Sequence, residues 1–92
     1  MSDSKQAAVA GGSFQAFRAH GVFTRPFSVT GVNRTSVVMV SLTEISAEGV
    51  PFMGGATMKV YNIVPHDGAQ VEVRGEILHD VDLNVRISFL VA

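Results

Sequence analysis

The sequence predicts an all-β domain, a six-stranded antiparallel β-sandwich. Three observations predict it. From Ser13 onward the apolar residues recur with period two, the repeat of a pleated strand, rather than the period of 3.6 that marks a helix. Glycine, proline and Asp-Gly signals divide the chain into short alternating runs at close spacing. No stretch shows helical patterning, and there are neither heptads nor internal repeats.

The elements follow in order. Residues 1–12 are small and polar, end in Gly11-Gly12, and read as a flexible tail before a domain over 13–92. Phe14 to Ala19 is the first and least regular strand. Val22 to Val29 is the second, with Phe23, Phe27 and Val29 on one face. Pro26 removes a ladder donor there, so this strand is an edge or carries a bulge. Ser36 to Ile45 is the third. Val38, Val40 and Leu42 alternate with Val37, Met39 and Ser41, so both faces are mostly apolar, as in a strand covered on both sides. Thr57 to Val64 is the fourth, with Met58, Val60, Asn62 and Val64 opposed to Thr57, Lys59, Tyr61 and Ile63. Gln70 to Leu78 is the fifth and cleanest: Val71, Val73 and Ile77 inward, Glu72, Arg74 and Glu76 outward. Asp82 to Val91 is the sixth, sending Leu83, Val85, Ile87, Phe89 and Val91 inward.

The connections carry turn chemistry. Pro65-His66-Asp67-Gly68 reads as a tight hairpin turn, because Asp-Gly tolerates positive φ. His79-Asp80 joins the last two strands. Gly31 to Thr35 and the longer Gly49 to Gly55 are loops.

Composition narrows the function classes. At 92 residues the chain is one domain that buries only roughly 60–65% of its unfolded surface, which leaves a thin stability margin. Cysteine is absent, so neither a disulfide nor a thiolate ligand or nucleophile is available. Burial against copies of itself is the remaining route to extra stability. A charged fraction of 16%, against about 25% in ordinary domains, points the same way. A net charge of −1 gives no electrostatic reason to expect nucleic acid. No apolar run approaches the ~20 residues of a membrane helix, so no membrane insertion is expected. Met1 to Ala10 lacks the pattern of a signal peptide, which is compatible with the cytosol and with release by lysis or a non-classical route, and leaves the compartment open.

Motifs specify little chemistry. His66-Asp67 and His79-Asp80-Val81-Asp82 gather histidines and carboxylates, but as turn residues they need no metal, and three or four convergent ligands would be required. No Ser or Thr sits in a Gly-x-Ser-x-Gly setting. Gly49 to Gly55 lacks the Gly-Lys-Ser/Thr ending of a phosphate loop. Binding without a cofactor is therefore expected in preference to catalysis. Lys59 and Arg86 each interrupt an otherwise apolar or neutral strand. They are either solvent-facing positions or charges held on a rigid strand toward a polyol or a neighbouring chain. Tyr61, the single tyrosine, is expected buried with its hydroxyl satisfied, the alternative being a ligand-facing ring.

Several segments, in order, resemble one family. Ser36-Val37-Val38-Met39-Val40-Ser41-Leu42-Thr43-Glu44-Ile45 resembles the central strand of the H-type lectins, the snail agglutinin and discoidin carbohydrate-binding domains. Lys59-Val60-Tyr61-Asn62-Ile63-Val64-Pro65 followed by Gly68 resembles the next strand and turn. Val85 to Ala92 resembles the closing strand, and Phe23 to Val29 an early one. The similarity covers residues 13–92. It implies a six-stranded sandwich assembled as trimers or hexamers and binding glycans of the galactose or N-acetylgalactosamine type near protomer boundaries. It also implies a ligand role for Lys59, where the family usually has Arg, for His79 in the loop between the last two strands, and for Asp80 beside it. The chain departs from the pattern at Leu78 and Leu83, where the family commonly has aromatic residues.

Two functions follow as expectations: a multivalent, non-catalytic lectin, or a structural oligomeric module such as a phage fibre, tail or coat-associated protein. Lys59 and His79 are expected on one pocket, because a hairpin about Asp67-Gly68 brings them within a few residues of register.

Overall fold

Alternation on six short runs produces six strands that can bury only one face each, and two three-stranded sheets are the result. The computed structural model describes residues 11–92. Most of the expected tail, residues 1–10, lies outside the described residues. The strands are β1 (Gly11–Ala19), β2 (Gly21–Ser28), β3 (Val38–Glu44), β4 (Thr57–His66), β5 (Gln70–Leu78) and β6 (Leu83–Val91). One sheet has the order β1-β6-β3 and the other β2-β5-β4. Every pairing is antiparallel. The architecture is an all-β sandwich of two layers.

The central strands carry the core. Val71, Val73 and Ile77 of β5 and Val85 and Ile87 of β6 are fully buried. Each such side chain contributes about 1.5–3 kcal/mol over an exposed position. Four phenylalanines knit the layers. Phe17 of the first sheet meets Phe23 and Phe27 of the second edge-on, with ring centroids 5.4 and 5.6 Å apart. Phe27 in turn lies 5.5 Å from Phe89. The β2–β3 connection folds Val29 and Val32 into the same core. Its backbone is tied to the β4–β5 turn, where Val29 N donates to Ala69 O at 2.8 Å and Ala69 N to Val32 O at 3.1 Å.

Five expectations are corrected. Gly11 and Gly12 are not tail: they pair with Val91 and Leu90 and open β1. Within the chain β3 is covered on one face rather than both, and it pairs only with β6, at the edge of its sheet. Val38, Val40 and Leu42 pack on the core, while Met39 on the other face is 64% exposed. β4 does not keep one parity. Its register against β5 shifts between Val60 and Asn62, so Tyr61 is the extra residue of a bulge. One inserted residue exchanges the two faces. Ile63 therefore joins Met58 and Val60 at the core, and Asn62 is exposed. The β4–β5 turn lies one residue later than its Asp-Gly signal suggests. β4 runs to His66, and the positive φ values fall at Gly68 (87°) and Ala69 (62°). The two hydrogen bonds on Ala69 hold a conformation that costs a non-glycine residue about 1–2 kcal/mol. Tyr61, fifth, is not buried but 51% exposed. The proline expectation holds: β2 is an edge strand, so Pro26 removes no inner ladder bond.

Candidate functional site

The bulge at Tyr61 decides what the outer face of the β2-β5-β4 sheet presents. A regular strand would turn alternate residues outward. Here Lys59 is exposed before the bulge, Tyr61 on it, and Asn62 after it. Across the sheet, Lys59 is opposite Glu76, which is opposite Val22. Asn62 is opposite Arg74, which is opposite Thr24. Two neighbouring rows therefore hold a half-exposed aromatic ring among an amine, a guanidinium, a carboxylate, an amide and a hydroxyl.

These groups are oriented by one another. The Tyr61 hydroxyl donates to Glu76 Oε1. This hydrogen bond raises the Tyr61 phenol above its ordinary value of 10.0, with desolvation and the Glu76 charge adding in the same direction. Arg74 Nε donates to Thr24 Oγ1 at 3.1 Å, which pins the guanidinium along the sheet. Lys59 makes no ion pair among the described residues. The face offers hydrogen-bond donors and acceptors around an exposed aromatic ring.

The residues singled out from the sequence are distributed as follows. Lys59 lies on this face. Along β5, its partner Glu76 is three residues before His79, or about 10 Å of strand. His79 occupies the β5–β6 turn, its Nδ1 3.1 Å from the Val81 carbonyl. It lines a shallow pocket of about 160 Å³ with Glu44, Phe52, Gly54, Ala56 and Leu83, and Lys59 is not in that lining. Asp80 is exposed in the same turn. Leu78 is exposed and Leu83 packs toward the core, so neither position holds a ring. Phe52 brings an aromatic beside His79 instead. The Ile45–Pro51 bridge and the Phe52 amide donating to Glu44 O at 3.1 Å fix its loop. Arg86 lies on the other sheet, over the Phe14 ring at 5.0 Å.

Two groups escaped the sequence reading. The Tyr61 face depends on a bulge, for which no local signal was present. The second is a pair between corners: His20 Nδ1 donates to Asp82 Oδ1 at 2.6 Å. This hydrogen bond holds the Asp82 carboxyl below its ordinary 3.8 against an opposing desolvation, with His20, Arg18 and Arg25 adding attraction. Among the described residues, no three His or carboxylate side chains converge as a metal site would require. Among the described residues, no helix is long and apolar enough to cross a membrane. Comparison with known protein families, with curated proteins and with solved structures finds no match to this chain.

Proposed function

We propose that this chain is a non-catalytic carbohydrate-binding protein that gains avidity as an oligomer. The observation that carries the reading is the half-exposed Tyr61, set by a bulge among Lys59, Asn62, Arg74 and Glu76. An aromatic ring takes the apolar face of a sugar, and the surrounding polar groups take its hydroxyls. Such an open face binds one sugar weakly, so repetition on a symmetric assembly supplies the affinity. The resemblance to H-type lectins agrees on the class of ligand, with galactose or N-acetylgalactosamine glycans as the first to test.

A glycan array on the purified protein tests the reading, followed by titration of the best ligand. Tyr61→Ala and Lys59→Ala are each expected to weaken binding by about 1–3 kcal/mol. A loss confined to His79→Ala or Asp80→Ala moves the site to the pocket beside Phe52. The absence of any glycan signal removes the reading. The structural-module alternative has its own supporting observation, the apolar outer face of the β1-β6-β3 sheet, and predicts a stable assembly with no sugar binding.

A further inference from the structure

Glu44 breaks the pattern of β3. Val38, Val40 and Leu42 pack against the core, and Glu44 is the next residue of that parity, opposite the buried Val85. A carboxylate stands where the alternation requires another apolar side chain, and breaks of a local rule concentrate at functional sites. Three carboxylates are half-buried among the described residues: Glu44, Glu72 and Glu76. Glu72 accepts from His66 Nε2 at 3.1 Å, and Glu76 accepts from the Tyr61 hydroxyl. Glu44 has no ion-pair partner among the described residues. A carboxylate drawn partly out of water without a partner carries a free-energy cost that a bound cation would offset.

The surroundings hold this carboxylate in place. It lies against the backbone of Gly54, where a Cβ would come within 2.9 Å of the Glu44 carboxyl carbon and 3.5 Å of the Phe52 ring. Any side chain at position 54 would displace it. The loop that carries Phe52 and Gly54 is braced by its own hydrogen bonds. Ser46 N donates to Val50 O at 2.9 Å and Gly49 N to Ser46 O at 2.9 Å. The Ser46 hydroxyl accepts from the Glu48 and Val50 amides. On one side of Glu44 is the pocket shared with His79. On the other is a groove of about 270 Å³ at the rim of the sandwich, formed by Leu42, Phe52, Met53, Ala56 and Met58. Glu44 is the single charged side chain of that groove.

We infer that Glu44 and this groove bind an organic cation whose N–H donors sit at the end of an apolar stem. The charged nitrogen rests on the Glu44 carboxylate in a charge-assisted hydrogen bond. The stem lies along Phe52, Met53 and Met58, and unbranched methionine side chains adapt to such a chain. Met53 is 97% and Phe52 48% exposed, so the stem has an open path to the groove. A hard metal ion fits less well, because it takes six or more oxygen ligands and this groove supplies one carboxylate against an apolar wall. A free alkylamine and a lysine side chain share the inferred chemistry. The groove has no residue in common with the Tyr61 face, and the inference does not rest on the sugar reading.

Titration of the full chain with n-butylammonium tests it, followed through the methionine methyl signals in a nuclear magnetic resonance spectrum. Saturable shifts are expected at Met53 and Met58 and not at Met39, which lies on another face. Half-saturation is expected in the millimolar range, as befits a ligand of about five non-hydrogen atoms. n-Butanol, with the same stem and no charge, should bind about tenfold more weakly or worse. Glu44→Gln keeps the shape of the side chain and should weaken butylammonium by a similar factor while leaving butanol unchanged. Gly54→Ala should weaken butylammonium as well, by moving the carboxylate. Nα-acetyl-lysine N-methylamide binding more tightly than butylammonium identifies a polypeptide as the source of the cation, and weaker binding identifies a free amine. Three results overturn the inference: no saturable shift at Met53 and Met58, equal binding of butanol and butylammonium, or a folded Glu44→Gln variant that binds butylammonium like the parent.

Discussion

Tyr61 shows how one residue converts a solvated sheet face into a candidate site. Its ring is exposed, while its hydroxyl is committed to Glu76. The bond favours the neutral phenol, so the folded state binds the phenolic proton more tightly than the unfolded chain does. Its contribution to stability is complete below pH 10 and is lost as the pH rises through the higher folded-state value. Since the chain has one tyrosine and no tryptophan, ultraviolet absorbance follows this group alone. Its titration midpoint is expected above 10, and Glu76→Gln should bring it down by removing the negative charge and leaving only a weaker amide acceptor. An unchanged midpoint in Glu76→Gln would show that the contact does not form in solution.

At the scale of the element, β5 sets the limits on its neighbours. Gly75 faces the core between Phe23 and Val60, its cross-strand partners. A Cβ there would come within 2.8 Å of both the Lys59 carbonyl and the Phe23 ring. The ring of Phe23 occupies the space that a side chain would need, and the neighbouring strand is as close. Gly75→Val is therefore expected to destabilise the protein by about 1–3 kcal/mol, as overpacking does, measured from the urea midpoint. A neutral result would mean that Phe23 can swing away. Gly75 also lies opposite the start of the bulge, so the close approach of β4 there and the outward turn of Tyr61 share one cause. The alternation of β5 was legible from Val71, Val73 and Ile77. The need for glycine at 75 was not, because it arises from a ring on another strand.

At the scale of the whole molecule, the described residues form four edge strands and two central ones. β5 and β6 each have neighbours on both sides, while β1, β2, β3 and β4 each leave one row of backbone groups unpaired within their sheet. Amide exchange is expected to be slowest in β5 and β6, approaching the global unfolding limit, and faster along the outer rows of β1 and β4. Protection of the whole of β1 equal to that of β6 would show that another chain covers its edge. The two outer faces differ in chemistry: one is polar around Tyr61, the other apolar around Phe14, Met39 and Leu90.

The sequence by itself determined the strands and their number, because alternation and turn residues act through the local pleat and local φ. It placed Gln70–Leu78 without error and put Lys59 on an outward face. Pro26, whose missing donor is also a local property, narrowed β2 to an edge or a bulge. Only the tertiary structure decided how the strands divide between two sheets, that β3 is an edge, and that Met39 faces outward. The bulge at Tyr61 belongs to the same class. It is a mismatch in length between β4 and β5, and the pairing of two strands is invisible to either one alone. The exposure of Tyr61, the row of Lys59 with Glu76, and the assignment of His79 to a pocket with Phe52 all rest on such pairings. They are settled by which distant segments share a backbone ladder, a choice made by burial of the whole core rather than by any residue in the site.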